Sequence, residues 1–370
     1  MGGNMEIDVV GDFCGANPKT DRITSSGSHE FILRPSSETA GESFRLETKI
    51  VNRRSEPAEV RLIIEWPVKQ WIELKDYLYV MGEADKDWIL VPASTEESRT
   101  LITITAAPGE TYVCLHPKYS YDDCEKYIAG LNHPWIAKEN LGLSGEGRNI
   151  RRIAVTDRRI CDGKNILIVG RNHACETSAN YCIEGMLTWL TSTDPIARYA
   201  LKKFIFNFLP MTNPDGVANG LDRFTRQGGA DLNRDDATNR LLYPGSMPDK
   251  SHEVYFRALD AIKPSVFACL HSYNFRHKDQ IFGGTEEEID KFITFMPDQI
   301  EAGKVWLKTV SDGKNKPEGY CRNKFGATSF LLEVPWFGRN GRTMRETGVK
   351  IIRALILMHS LQKDNFWGEF

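Results

Sequence analysis

The chain has no surplus of positive charge: 47 lysines and arginines against 50 aspartates and glutamates leave a formal net charge of −3 over 370 residues. Proteins that hold nucleic acid or an anionic membrane surface collect basic residues, so neither partner is expected. A long apolar run is also missing. No stretch approaches the ~20 residues a membrane span needs, and the opening Met1-Gly2-Gly3-Asn4-Met5-Glu6-Ile7-Asp8 has no basic segment leading into an apolar one, so a cytoplasmic location is expected. The eight cysteines (14, 114, 124, 161, 175, 182, 269, 321) form no Cys-x-x-Cys pair, and Cys269 sits in the apolar run Val266-Phe267-Ala268-Cys269-Leu270. They read as buried free thiols, not as a disulfide framework. There is no internal repeat or low-complexity tract, and nothing sets the oligomeric state.

What is present is the composition of an ordinary globular protein, 41% hydrophobic and 26% charged, long enough to favour two domains. From about residue 29 to 115 the apolar pattern has period two. Val60, Leu62, Ile64 and Trp66 fall on one face, as do Phe44, Leu46, Thr48 and Ile50, and further short strands are expected at 88–91, 100–105 and 112–115. Short strands without intervening helices predict an antiparallel β-sandwich over residues 1–118. Beyond about residue 120, apolar runs at 153–155, 166–169, 204–209, 266–270 and 330–332 are separated by segments long enough for crossover helices, and an amphipathic helix is expected over roughly 344–361. This predicts an α/β/α domain with a mixed sheet over residues 119–370.

The residues able to do chemistry follow these predicted strands. His173 and Glu176, three apart, follow the 166–169 run, and this spacing in a first helical turn aims both side chains the same way. Asn213-Pro214-Asp215-Gly216 follows the 204–209 run, His271-Ser272-Tyr273 closes the 266–270 run, and Glu333 closes the last. In doubly wound sheets, sites form outside the carboxyl ends of the strands. Two histidines and a glutamate make three protein ligands and leave a fourth zinc position open, as catalytic zinc sites require. His29, His116, His133, His252 and His277 have no such carboxylate partner and read as surface or packing residues. Gly283-Gly284 reads as a turn.

The ordered series His-x-x-Glu, Asn-Pro-Asp-Gly, Asp-x-Asn-Arg, His-Ser-Tyr and a late Glu resembles the M14 family of zinc carboxypeptidases over about residues 120–370. The preceding all-β region with Pro117-Lys118-Tyr119-Ser120-Tyr121 is similar to the cytosolic carboxypeptidase branch, and extends the resemblance over nearly the whole chain. The resemblance implies one Zn2+ per chain, held by His173, Glu176 and His271, with Glu333 as general base. It implies an oxyanion-stabilising arginine, Arg223 with Arg226 as the runner-up, and a grip on the substrate's terminal carboxylate by Asn233 and Arg234. It also implies a carboxylate, Asp231, bonded to a zinc-bound histidine, most simply His173. Tyr320 is the available counterpart of a substrate-covering tyrosine, although it stands thirteen residues before Glu333, nearer than in relatives, and Cys175 replaces a residue that is often arginine or glycine. The expected substrate is the C-terminus of a peptide or protein, with Arg322 and Lys324 available to meet an acidic side chain. A deacylase of small acylated amino acids and an inactive binding protein remain as alternatives.

Overall fold

The computed structural model describes residues 6–38, 45–67, 76–157, 163–243, 245–246, 248–272, 278–296 and 306–360. Two five-stranded sheets form the N-terminal part. One runs in the spatial order Ile7–Val10, Glu47–Asn52, Gly109–Cys114, Tyr77–Gly82, Ile89–Pro92, with every neighbour antiparallel. The other runs Ile23–Ser25, Glu30–Leu33, Ala58–Glu65, Arg99–Ala106, Ser94–Glu96. Period two is realised as expected: Val60, Leu62, Ile64 and Trp66 are buried in the core between the sheets, with Ile50, Ile102, Ile104 and Val113. The departure from an all-antiparallel sandwich is one pair, Glu30–Leu33 with Ala58–Glu65, which is parallel. Phe44 lies outside the described residues.

The C-terminal part is built on an eight-stranded mixed sheet, ordered Ile136–Leu143, Asn149–Val155, Phe204–Leu209, Lys164–Gly170, Val266–His271, Thr328–Glu333, Gln280–Gly283, Leu307–Val310. Four central strands, from Phe204–Leu209 to Thr328–Glu333, are mutually parallel. They read as continuous apolar runs because helices cover both faces. Ile166 and Ile168 pack towards helices Ser178–Leu190 and Gly341–Ser360, whereas Leu167 and Val169 pack towards Lys250–Ile262. Gly283, expected in a turn, closes the strand Gln280–Gly283 instead, lying so near Ile289 that a Cβ would stand 2.7 Å from its Cγ1.

Strand order places the site. The chain leaves Lys164–Gly170 for Phe204–Leu209 on one side and returns to Val266–His271 on the other. The connections therefore diverge above Lys164–Gly170 and Val266–His271, which opens a crevice at their carboxyl ends. The N-terminal sheets dock beside that crevice. Asn17 Nδ2 donates to the Gly220 carbonyl, Trp88 Nε1 to the Tyr181 hydroxyl, and Tyr79, Trp88 and Cys114 join the core of the C-terminal part. The seven described cysteines are free thiols; Cys161 lies outside the described residues.

Candidate metal centre

His271 is the last residue of the buried strand Val266–His271, and Glu333 stands in register beside it at the end of Thr328–Glu333. Period two puts Cys269 on the same face as His271, and its Sγ lies 3.2 Å from His271 Nε2. That contact turns Nδ1 of His271 towards Glu176, whose Oε2 is 2.9 Å away.

His173 and Glu176 do not sit in a first helical turn as the spacing suggests; the helix begins only at Ser178. They occupy an irregular turn that starts at Arg171, a non-glycine residue at φ 59°. Buried charges shape this turn. The fully buried Arg171 guanidinium donates through Nε to the Ala174 carbonyl at 3.1 Å and through Nη1 to Tyr119 O at 2.9 Å and Asn180 Oδ1 at 2.7 Å. Arg45, from the N-terminal part, donates to the same Ala174 carbonyl at 3.4 Å and to Leu221 O at 3.0 Å. Its charge is balanced by Glu47, 3.0 Å away and equally buried. Burial, with Arg45 beside it, lowers the Arg171 pKa to about 10, so the guanidinium remains charged at neutral pH.

His173 Nδ1 lies 3.2 Å from Glu176 Oε1, and its Nε2 lies 3.2 Å from Asp231 Oδ1. Both Nδ1 atoms and the Glu176 carboxylate thus face one another, all three ligand atoms lying within 4.8 Å of each other. The three residues fit a metal. Glu176 Oε2 is buried without a hydrogen bond although a ring nitrogen is 2.9 Å away, and two lone-pair donors brought this close call for a shared cation. Two nitrogens and a carboxylate oxygen form a donor set suited to zinc, and each histidine has its other nitrogen engaged, as ligating histidines do. Burial works against the Glu176 charge, yet His271 and His173 hold its carboxyl well below the ordinary range. For His173 burial favours the neutral ring, but the Glu176 and Asp231 carboxylates outweigh it and push the pKa up to about 9. Asp231 is likewise held far below the usual carboxylate range, with His173 and Arg223 overcoming its burial.

Arg223 reaches this group through Asp231: Nε and Nη2 donate to Asp231 Oδ2 at 3.0 and 2.8 Å. Arg226 faces outward, its side chain 57% exposed and 4.0 Å from Glu146. Asn233 and Arg234 continue from Asp231. The Asn233 amide donates to Asp231 Oδ1 at 2.8 Å, Arg234 Nη1 donates to the Asn233 carbonyl at 2.7 Å, and Asn233 Oδ1 is buried without a partner among the described residues.

Tyr320 is not brought to the cluster. It lies on the helix Pro317–Phe325, donates its hydroxyl to Asp260 of Lys250–Ile262 at 2.7 Å, and packs against Phe256 and Phe325. Lys324 is bound to the same Asp260, and Arg322 donates to the carbonyls of Asp312 and Ser329. Asp215 anchors scaffold: it accepts from Ser144 Oγ, the Glu146 amide and Arg148. Tyr273 and His277 lie outside the described residues. Sequence reasoning passed over Arg45 and Arg171; His252, read as a surface or packing residue, is buried with Nε2 3.0 Å from the Arg234 carbonyl. Only the Cys269–His271 contact carried a sequence signal, the strand's period of two.

Residues 125–281 match the family Peptidase M14, described as zinc carboxypeptidase. Among curated relatives, cytosolic carboxypeptidase 6 of Mus musculus is 34% identical over 123 residues, covering 31% of this chain and 23% of that protein. Cytosolic carboxypeptidase 1 of Homo sapiens is 25% identical over 240 residues, 59% of this chain and 19% of that protein. The chain thus spans less than a quarter of the length of either. Among solved structures, a metallo-carboxypeptidase from Burkholderia cenocepacia superposes with a TM-score of 0.78 at 19% identity, covering 96% of this chain and 99% of its own. One from Pseudomonas aeruginosa gives 0.77 at 16%, covering 95% and 99%. These two establish a shared fold that includes the N-terminal sheets. The sequence match spans both elements that carry His173, Glu176 and His271, so that over residues 125–281, less than half of its length, the chain is similar to the M14 family of zinc carboxypeptidases.

Proposed function

We propose that the protein is a zinc-dependent carboxypeptidase that hydrolyses the C-terminal peptide bond, or a side-chain isopeptide bond, of a peptide or protein. The observation that carries this reading is the convergence of His173 Nδ1, the Glu176 carboxylate and His271 Nδ1 beside Glu333, the strand neighbour of His271. Zinc held by His173, Glu176 and His271 would supply the Lewis acidity that activates water near neutral pH. Glu333 accepts the proton of the attacking water and returns it to the departing amine. Asp231 fixes the His173 ring through Nε2 and shares its second oxygen with Arg223, which keeps a guanidinium next to the centre for the charge that develops on the scissile carbonyl oxygen. Arg226, exposed and turned to Glu146, is set aside for this role. Asn233 and Arg234 bind the substrate's terminal carboxylate, for which a guanidinium is the matching donor. A cytoplasmic setting accords with the cytosolic relatives; no helix among the described residues is long and apolar enough to cross a membrane.

The test is a pair of N-blocked peptides, one with a free C-terminus and one amidated, offered to zinc-loaded protein. Release of the last amino acid from the free form alone is expected. Equal cleavage of both removes the carboxylate-binding role of Asn233 and Arg234 and favours a general amidase. Turnover only of small acylated amino acids favours a deacylase.

A further inference from the structure

Residues 218–224 lead from the short helix Pro214–Ala218 to Arg223, and the N-terminal part holds this segment almost residue by residue. The Gly15 amide donates to the Ala218 carbonyl at 2.9 Å, Asn17 Nδ2 to Gly220 O at 3.3 Å and Arg45 Nη1 to Leu221 O at 3.0 Å. Gly220, at φ 72°, comes so close that a Cβ there would stand 2.4 Å from the Ala16 carbonyl oxygen. Glu38 completes the series: its Oε2 accepts from the Arg223 amide at 2.5 Å and its Oε1 from the Phe224 amide at 3.2 Å. The same segment meets the metal-binding turn, where the Cys175 amide donates to the Asp222 carbonyl at 2.9 Å.

Connecting segments are ordinarily the mobile parts of a fold; this one is strapped down. Two successive amides aimed at one carboxylate make a small anion nest, and as a plain tie between the two parts it could lie anywhere along their contact. It lies on the residue whose side chain reaches the metal centre. Arg223 is therefore held at both ends, by Glu38 at its backbone amide and by Asp231 Oδ2, 3.0 and 2.8 Å from Nε and Nη2, at its guanidinium. The ion pair alone would not fix the side chain, because an arginine has several rotamers by which a shifted backbone could still reach one carboxylate. Fixing the backbone as well removes that freedom before substrate arrives, and a group that stabilises developing charge acts best when it is already in place.

We infer that Glu38 is a positioning residue for the reaction: supplied by the N-terminal part, it sets the backbone of Arg223 so that the guanidinium stands ready beside the metal centre. The N-terminal sheets then contribute to turnover and are more than an appended module. This rests on the carboxypeptidase reading and on the role given there to Arg223.

The experiment is a double-mutant cycle on zinc-loaded protein with an N-blocked peptide. It pairs Glu38→Met, which keeps the bulk of the side chain but accepts no such hydrogen bond, with Arg223→Met. Glu38→Met alone should lower kcat by on the order of 10²-fold, with zinc content unchanged and KM within about threefold of wild type. Glu38→Gln, which keeps an acceptor at the same reach, should retain most of the rate. In the Arg223→Met background the change Glu38→Met should cost less than about threefold, since a residue acting through Arg223 then has nothing to position. A wild-type rate in Glu38→Met, an equal loss in both backgrounds, a rise in KM without a fall in kcat, or Glu38→Gln as slow as Glu38→Met overturns the inference. Glu38→Asp withdraws the carboxylate by one methylene and should show the same pattern in weaker form; it replaces Glu38→Met in the cycle if that variant does not fold. If wild type cleaves no peptide, the proposed function fails on its own, and hydrogen exchange decides the positioning. The amides of residues 223 and 224 should then exchange at least ~10-fold faster in Glu38→Met than in wild type, and unchanged exchange overturns it.

Discussion

His271 comes to the centre on the end of a hydrogen-bonded strand, with Glu333 in register beside it, whereas His173 and Glu176 come on a turn outside any helix or strand. The strand side is positioned by the same ladder that forms the sheet. The turn side is positioned by buried charge: Arg171 and Arg45 on the Ala174 carbonyl, and Asp231 with Arg223 behind His173. Regular structure places His271 with a single supporting side chain, Cys269 of the same strand. An irregular turn needs its carbonyls and ring nitrogens bonded individually, and here one of those partners, Arg45, comes from the N-terminal part, just before the strand Glu47–Asn52.

The comparison can be broken at several points. The largest effect belongs to the strand side but to chemistry alone: Glu333→Gln should lower kcat by about 10³-fold while zinc content by metal analysis stays at the wild-type level. Loss of zinc in that variant would show that Glu333 also holds the ligands in place. On the turn side, Arg45→Met leaves Glu47 as an uncompensated buried charge, and should cost about 3–5 kcal/mol of stability, read by denaturant unfolding. Adding Glu47→Leu should restore most of the stability but not the zinc affinity, because the Ala174 carbonyl has still lost a donor. Restoration of both would mean that Arg45 serves only to balance Glu47.

Support behind each histidine sharpens the contrast. Asp231→Asn should weaken zinc binding about 10–100-fold in a chelator competition, since it removes the charge behind His173 Nε2. Cys269→Ala should weaken it less than Asp231→Asn does, because the ladder still holds His271. Equal losses would dissolve the distinction between the two sides. The smallest effect is a pH dependence at Glu38, whose carboxylate accepts from the Arg223 and Phe224 amides. Burial raises its pKa to about 7. A raised pKa means that the folded state favours the protonated carboxyl. The stability it contributes is complete below the ordinary glutamate pKa of ~4.5 and is lost as pH rises through about 7. The melting temperature of Glu38→Gln should therefore gain on wild type between pH 5 and pH 8; parallel curves would remove Glu38 from this account.

The strand side was also the legible side. Val266-Phe267-Ala268-Cys269-Leu270 followed by His271 shows both a buried strand and a polar residue at its exit, and period two places Cys269 under the ring. In the N-terminal sheets Val60, Leu62, Ile64 and Trp66 were equally readable because burial of one face is written locally. The parallel pairing of Glu30–Leu33 with Ala58–Glu65 was not, since pairing depends on distant partners. The turn side hid more. His-x-x-Glu spacing suits a helix, and only the buried guanidiniums, one of them 129 residues away from Ala174, show why the turn stays irregular. Arg223 and Arg226 are chemically alike and three residues apart, so packing alone sends one to Asp231 and the other to solvent. Tyr320 illustrates the reverse: the resemblance offered it as a substrate contact despite its short distance from Glu333 along the chain, while helix packing turns its hydroxyl to Asp260.

The central claim is that these two differently supported sides close on one zinc ion, and metal analysis tests it most directly. After dialysis against zinc and removal of unbound metal, wild type should retain about one zinc per chain, and His173→Ala and His271→Ala should each lose it. Wild type without stoichiometric zinc, or either variant retaining the full amount, would contradict the account.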